Sequence, residues 1–501
     1  MQKYILAIDQ GTTGSTALIF DRDLAIHGKA NVEFPQHFPE PNWVEHDLEE
    51  IWKSVGQSIF LAMSQKGIKP NEIACIGITN QRETTCLWSR GRDATPLARA
   101  IVWQDRRTAD ACSKLRARGL EKMIQKKTGL LLDPYFSATK LEWMLKNIPG
   151  AMAKAKIGEI AFGTIDSYLL YRMTGQHATD VSNASRTLLM DLKTCEWDED
   201  MLKLFKIPKA ILPRILPSSV EYGKTKGFFN LPDGIPVSGI SGDQQSALFG
   251  QACFTAGSVK CTYGTGAFIL ANVGKKPVYS KHRLLSTVAW KFGKETTYGL
   301  EGSAFIAGAG VQWLRDGLHV LDKSEDVEKY ANEVTSSDGV IFVPALSGFG
   351  APHWLPHATG LITGLTRRTT RGHLCRATLE GVGYQVAELL TAMSKDVNKK
   401  LGPMRVDGGM SADNLLMQFQ ADLSGIDVIR AEILETTALG AGLQAGLAMG
   451  IWTGLDDIQK TWKSAASFRP QIVPKQRKEL MERWGNAVEA VRLLSGEKKR
   501  R

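Results

Sequence analysis

The chain has 501 residues, 43% hydrophobic and 23% charged, with a formal net charge of +10. That length exceeds one ordinary core and implies two large domains, and the composition excludes a disordered or fibrous chain. Lysines and arginines are scattered apart from a terminal Lys498-Lys499-Arg500-Arg501, which argues for a solvated basic surface and against a nucleic-acid partner.

Seven dispersed cysteines without a CxxC read as buried thiols in a reducing compartment. The opening MQKYILAIDQ meets an acidic residue too early for a signal peptide, and no apolar run is long enough to span a bilayer, so a cytoplasmic protein without membrane insertion is expected. His353 and His357 have the spacing of a helical metal pair, but Pro352 and Pro356 oppose a helix there.

In chain order, Tyr4 to Ile8 predicts a strand that stops at Asp9-Gln10-Gly11-Thr12-Thr13-Gly14, and Thr16 to Phe20 returns as the second arm of a hairpin. Ile26 to Phe34 gives a third strand. Asp47-x-x-Glu50 has the form of a capping box, and Leu48, Ile51, Trp52, Val55, Ile59 and Met63 share one helical face that ends at Gly67. Ile73 to Thr79 is a buried strand, completing a β-β-β-α-β order. The second half repeats it: Val259 to Thr262, a Tyr263-Gly264-Thr265-Gly266 turn, Ala267 to Val273, Leu284 to Trp290, a helix through Ala304, Val311 and Leu314, and a strand from Val340 to Pro344. The domain boundary is expected near residue 250, giving domains 1–250 and 251–501. Further on, His373 to Val397 reads as a long helix, Arg405 to Asp407 as a strand end, Ser411 as the cap of a helix carrying Leu415, Leu416, Phe419 and Leu423, and the Ala/Gly-rich Thr436 to Met449 as a tightly packed helix.

There is no GxxxxGK[ST] loop, no dinucleotide fingerprint and no protein-kinase set. Two Gly/Thr hairpin tips at equivalent points of a repeated unit, however, offer N–H groups and hydroxyls to an anion such as phosphate. Asp9 ends a strand beside the first tip, either as a turn aspartate satisfying local N–H groups or as a ligand for Mg²⁺, directly or through water. Asp243 lies at a strand-to-helix junction, either as a plain N-cap or as a base. Arg82 and Glu83 follow the strand Ile73–Thr79, either as a solvated surface pair or, at a strand end, as donors and acceptors that suit a neutral polyol; Trp103 and Phe268, unless they are core residues, can cover its C–H side, and Tyr135 can add a hydroxyl contact. Spacing alone does not name the substrate.

From Ala7-Ile8-Asp9-Gln10-Gly11-Thr12-Thr13 to about residue 450 the sequence resembles the FGGY carbohydrate kinases, of the actin/hexokinase/Hsp70 superfamily. Tyr135-Phe136-Ser137-Ala138-Thr139-Lys140-Leu141-Glu142-Trp143 and Gly360 through Gly364-Leu365 to Ala377-Thr378-Leu379-Glu380 carry the likeness. Ile78 to Thr84, Trp103-Gln104 and Gly242-Asp243-Gln244-Gln245 resemble members that phosphorylate glycerol more than those acting on pentuloses. The resemblance implies an α/β fold of two actin-like (ribonuclease H-like) domains with a nucleotide and substrate cleft between them. It implies phosphorylation of glycerol to sn-glycerol 3-phosphate by ATP, with ADP released, Mg²⁺ as cofactor and a homodimer or homotetramer; dihydroxyacetone or a pentulose is the alternative acceptor.

It further implies that Arg82, Glu83, Tyr135, Asp243 and Gln244 hydrogen-bond the polyol, with Trp103 and Phe268 against its carbons. Asp243 would be the general base, and Asp9 with Asp243 would hold the metal. Thr12, Thr13, Gly14 and Thr265 would surround the phosphates, and Gly308, Gln312, Gly409 and Asp413 would line the nucleotide pocket. Gly14 and Thr16 stand where Ser and Arg are frequent, and Asp413 where Asn is, which is expected to weaken or re-tune nucleotide binding. Residues 222–236 lack the Gly-rich basic loop tied to sugar-bisphosphate regulation in some relatives. A nucleotide-driven assembly protein on the same superfamily fold is the rival of another class.

Overall fold

The computed structural model describes residues 3–355 and 357–496; the terminal basic run and Pro356 lie outside them. The core of the first half is a six-stranded mixed sheet. Tyr4–Gln10 (β1) has Ile5, Leu6, Ala7 and Ile8 all buried, as a strand covered on both faces requires. It pairs antiparallel with Gly14–Phe20 (β2), which pairs with Ile26–Glu33 (β3). The helix Leu48–Ser64 (α1) covers this sheet with the predicted apolar face. Asp47 caps it by accepting from the N–H groups of Glu49 and Glu50, but Glu50 does not close a capping box; its carboxylate lies 2.9 Å from His37 Nε2.

On the other side β1 pairs parallel with Ile73–Asn80 (β4). After a long insertion, Ser219–Lys224 (β5) and Pro236–Gly242 (β6) complete the order β5-β6-β4-β1-β2-β3, with β6 parallel to β4. Asp9 stands opposite Thr79, and Gly242 opposite Asn80. Three adjacent parallel strands therefore end together, at the edge where α/β sheets present ligand sites. The helix Asp243–Gly250 (α2) starts there.

The second sheet has the order β9-β10-β8-β7-β11-β12-β13, formed by Val259–Tyr263 (β7), Ala267–Gly274 (β8), Leu285–Phe292 (β9), Glu295–Ala304 (β10), Met404–Asp407 (β11), Val428–Ala431 (β12) and Ser464–Phe468 (β13). Here the expected repeat needs correction. Ala304 ends a strand, and the helix Gly308–Asp316 (α3) begins after it. β10, not β9, lies beside β8 as β3 lies beside β2, and the place equivalent to β4 belongs to β11, which pairs parallel with β7. Among the described residues Ile341–Val343 pairs only with Leu361–Thr363, outside the main sheet. Local apolar runs locate strands but not their partners.

The long helix Arg371–Val397 (α4) packs on this sheet. Asn414–Ser424 (α5) is capped by Asp413, whose Oδ1 accepts from Leu416 N–H at 2.8 Å. Ser411 instead closes a 3₁₀ turn, its hydroxyl donating to the Gly408 carbonyl at 2.7 Å. His353 lies outside a helix, 3.1 Å from Glu388, and no group of three or more metal-ligating side chains occurs among the described residues.

The halves meet through α2 and Thr436–Ala448 (α6), which comes from the second half yet lies on β1, β4 and β6 of the first sheet. Glycines let these backbones touch. A Cβ on Gly440 would stand 1.9 Å from the Ser246 carbonyl oxygen, and one on Gly250 2.0 Å from that of Thr436. Pro474–Leu494 (α7) closes the chain through the buried Trp484. Among the described residues no helix is long and apolar enough to cross a membrane.

Candidate functional site

The end of β4 turns into Gln81-Arg82-Glu83-Thr84, all buried despite their polarity. Such residues persist in a core only when their charges and donors are matched. Arg82 Nε lies 2.9 Å from Asp243 Oδ1, an ion pair rather than an aligned hydrogen bond. Its Nη1 and Nη2 meet the two carboxylate oxygens of Glu301 on β10, with Nη2 at 3.1 Å from Oε1, and Nη1 donates to Gln245 Oε1 at 3.2 Å. Burial alone would favour neutral arginine, but the carboxylates of Glu301, Glu83 and Asp243 hold Arg82 charged.

Glu83 accepts from Arg186 Nε at 2.6 Å; burial still raises its pKa, because the nearby arginines offset desolvation only in part. Its backbone has φ 62°, an uncommon conformation for glutamate, and its carbonyl is pinned by Ser137 Oγ at 2.9 Å. Gly242, just before Asp243, leaves room for the Arg82 stem: a Cβ there would lie 2.6 Å from Arg82 Cδ.

An aromatic wall stands nearby. Trp103 meets Tyr135 edge-on at 5.5 Å and Phe268 at 6.4 Å, so residues from both halves form one surface. The Trp103 indole N–H donates to Thr12 Oγ1 at 3.0 Å, tying this wall to the first hairpin tip. Gln244 Oε1 accepts from the buried Lys260, whose Nζ also lies 2.9 Å from Thr262 Oγ1.

The first tip is a four-residue turn closed by Gly11 N–H on the Gly14 carbonyl at 2.9 Å, with Thr13 exposed. A Cβ on Gly14 would stand 3.0 Å from the Val32 carbonyl oxygen and 3.1 Å from Asn31 Oδ1, so this chain's packing favours glycine there. The second tip exposes Thr265 and is braced by α3: Gly308 N–H donates to the Gly264 carbonyl at 2.9 Å. Gln312 is exposed one turn further along α3, while Gly409 and Asp413 follow β11.

A cleft of about 310 Å³ runs between the sheets, lined by Asp9 and Thr16 on one side and Thr262, Asp407 and Gly408 on the other, with the Lys29–Glu435 ion pair beside them. Burial, then the charge of Asp243, raises the Asp9 pKa to about 7. Among the described residues no lysine or arginine forms an ion pair with Asp9. A half-buried carboxylate that lines the cleft and feels the charge of a second one, with no lysine or arginine paired to it among the described residues, suits a divalent cation.

Arg186, Gln245, Lys260 and Glu301 were not expected from the sequence. For Glu301 and Lys260 the available signal was an ionisable residue inside an otherwise small or apolar buried strand, as in Leu300-Glu301-Gly302; Arg186, in a turn, and Gln245, on a helix, carry no such signal.

The FGGY carbohydrate kinase N-terminal domain matches residues 4–250, and the C-terminal domain of the same family matches residues 259–449. The chain belongs to the FGGY family of carbohydrate kinases. It is 54% identical to a glycerol kinase of Bdellovibrio bacteriovorus over 98% of this chain and 100% of that protein. A glycerol kinase of Myxococcus xanthus is 53% identical over 97% and 99% of the two chains. In fold, the FGGY chain matches the crystal structure of Plasmodium falciparum glycerol kinase with ADP at a TM-score of 0.90 and 38% identity, covering 97% of this chain and 98% of that one.

Proposed function

We propose that this FGGY kinase transfers the γ-phosphoryl group of ATP to a terminal hydroxyl of glycerol, giving sn-glycerol 3-phosphate and ADP. The observation that carries the reading is the Arg82–Asp243 pair, 2.9 Å apart at the strand edge that also bears Asp9 and the first hairpin tip. Arg82, Glu83, Tyr135 and Gln244 bind the polyol hydroxyls, and Trp103 and Phe268 shield its carbon edge. Both described contacts of Asp243, from Arg82 Nε and from Gln244 N–H at 2.6 Å, fall on Oδ1, so Oδ2 takes the proton of the attacking hydroxyl.

Thr12, Thr13, Gly14 and Thr265 hold the phosphates on the two tips, while Gly308, Gln312, Gly409 and Asp413 line the nucleotide side. Mg²⁺ held through Asp9 and Asp243 supplies charge neutralisation for the phosphates when bound. The polyol is thus served mainly by the first domain and the nucleotide mainly by the second.

Asp243→Asn keeps the shape but cannot accept the proton. Its kcat on glycerol is expected to fall about 10²–10⁴-fold, with ATP affinity little changed. Turnover close to that of the wild type would refute the assignment.

A further inference from the structure

Glu301 is contributed by the second sheet, yet its carboxylate serves residues of the first half. It is fully buried in β10, and its register neighbours on β8 and β9 are Leu270 and Leu285, so an apolar residue would suit the sheet itself. Instead its two oxygens take both terminal nitrogens of Arg82, and Oε1 also accepts from Arg186 Nη2 at 2.9 Å. Arg186 in turn donates through Nε to Glu83 at 2.6 Å. The contacts form one chain, Asp243–Arg82–Glu301–Arg186–Glu83, with Glu301 at its centre.

Stability alone does not explain this choice, because a buried ion cluster is often no more stabilising than apolar residues of the same volume. Geometry does explain it. Arg82 is planar and has three edges to satisfy: Nε faces Asp243, while both Nη groups are fixed by Glu301. Without that carboxylate, Arg82 keeps Asp243 and the Gln245 side-chain oxygen, and Arg186 keeps the Glu83 carboxylate and the faces of Tyr135 and Phe136, none of which fixes both terminal nitrogens of Arg82.

We infer that Glu301 is a positioning residue of the acceptor site. It reaches from the second domain to fix the orientation of Arg82 directly and of Glu83 through Arg186. The acceptor site is therefore complete only when the two halves are docked. This rests on the reading of Arg82 and Glu83 as polyol-binding residues.

The test is Glu301→Gln in the full chain, measuring kcat, KM for glycerol, KM for ATP, and the rise in Tm produced by glycerol without nucleotide. The expected result is a KM for glycerol raised about tenfold or more, with the KM for ATP changed less than about twofold, and loss of the glycerol-induced rise in Tm. A KM for glycerol like that of the wild type, or equal proportional changes in both KM values, overturns the inference and leaves Glu301 a structural ion pair. If Glu301→Gln does not fold, Glu301→Asp decides: it keeps the charge but withdraws the carboxylate from both arginines, so the same selective rise is expected, and its absence overturns the inference. A wild-type protein inactive on glycerol would instead overturn the proposed function.

Discussion

Gly242→Ala probes the acceptor site without removing a charged group. Gly242 has φ −61° and ψ 152°, which alanine adopts without strain, so any effect comes from the added methyl group. That methyl would lie 2.6 and 2.7 Å from Arg82 Cδ and Cγ and 3.0 Å from Gln245 Oε1. Carbon atoms pack at about 3.5–4.0 Å, so the Arg82 stem must retreat by roughly 1 Å. Arg82 is only 2% exposed and its guanidinium is held by Glu301 and Asp243, so it has no free direction in which to move. Overpacking of this kind costs about 1–3 kcal/mol, and a displacement of about 1 Å at a reacting site can cost about 10²-fold in rate. In a coupled ADP-release assay, kcat/KM for glycerol should fall about 10- to 100-fold, while ATP titrations at saturating glycerol remain close to wild type. A KM and kcat for glycerol matching the wild type, in a variant that melts normally, would refute the packing argument.

Asp413 caps α5 with Oδ1, but its Oδ2 is buried without a hydrogen-bond partner, and burial, reinforced by Glu328, raises its pKa to about 7. A carboxyl raised from 3.8 to about 7 binds its proton more tightly in the folded state, so its contribution to stability is lost as pH rises through that window. Asp413→Asn keeps the cap and removes the charge, so it should raise Tm at pH 8, with the gain shrinking as pH falls toward 5; a pH-independent effect contradicts this. Gly440→Ala drives a methyl group into the Ser246 carbonyl, with backbone on both sides, and should lower stability by about 1–3 kcal/mol in urea unfolding. An unchanged midpoint would show that α6 can move away from α2.

Strands that end in a tight turn were legible because burial, β-branching and Gly/Thr tips coincide, as in Tyr4–Gln10 followed by Gly11 to Gly14. The second sheet was less legible. β10 ends in the small residues Gly302-Ser303-Ala304, which carry no strong strand preference, and its place beside β8 is set by tertiary pairing. Ser411 and Asp413 are both capping residues two positions apart, and the 3₁₀ turn after Gly408 decides between them. In the site, Arg82, Glu83 and Asp243 follow strand ends and so stand out in the chain. Glu301 and Arg186 could not be assigned that way, since their partners lie far off in the chain, at separations of 103 for Arg186 and Glu83, 115 for Arg186 and Glu301 and 219 for Arg82 and Glu301.

The central claim is tested most directly by ATP-dependent phosphorylation with glycerol beside dihydroxyacetone, xylulose, ribulose and no acceptor. Strong turnover with glycerol, weak turnover with the ketoses and negligible ATP hydrolysis without an acceptor is the predicted result. Preferred turnover of a ketose would contradict the assignment of the acceptor pocket, and hydrolysis at the same rate without any acceptor would contradict a kinase role for the site.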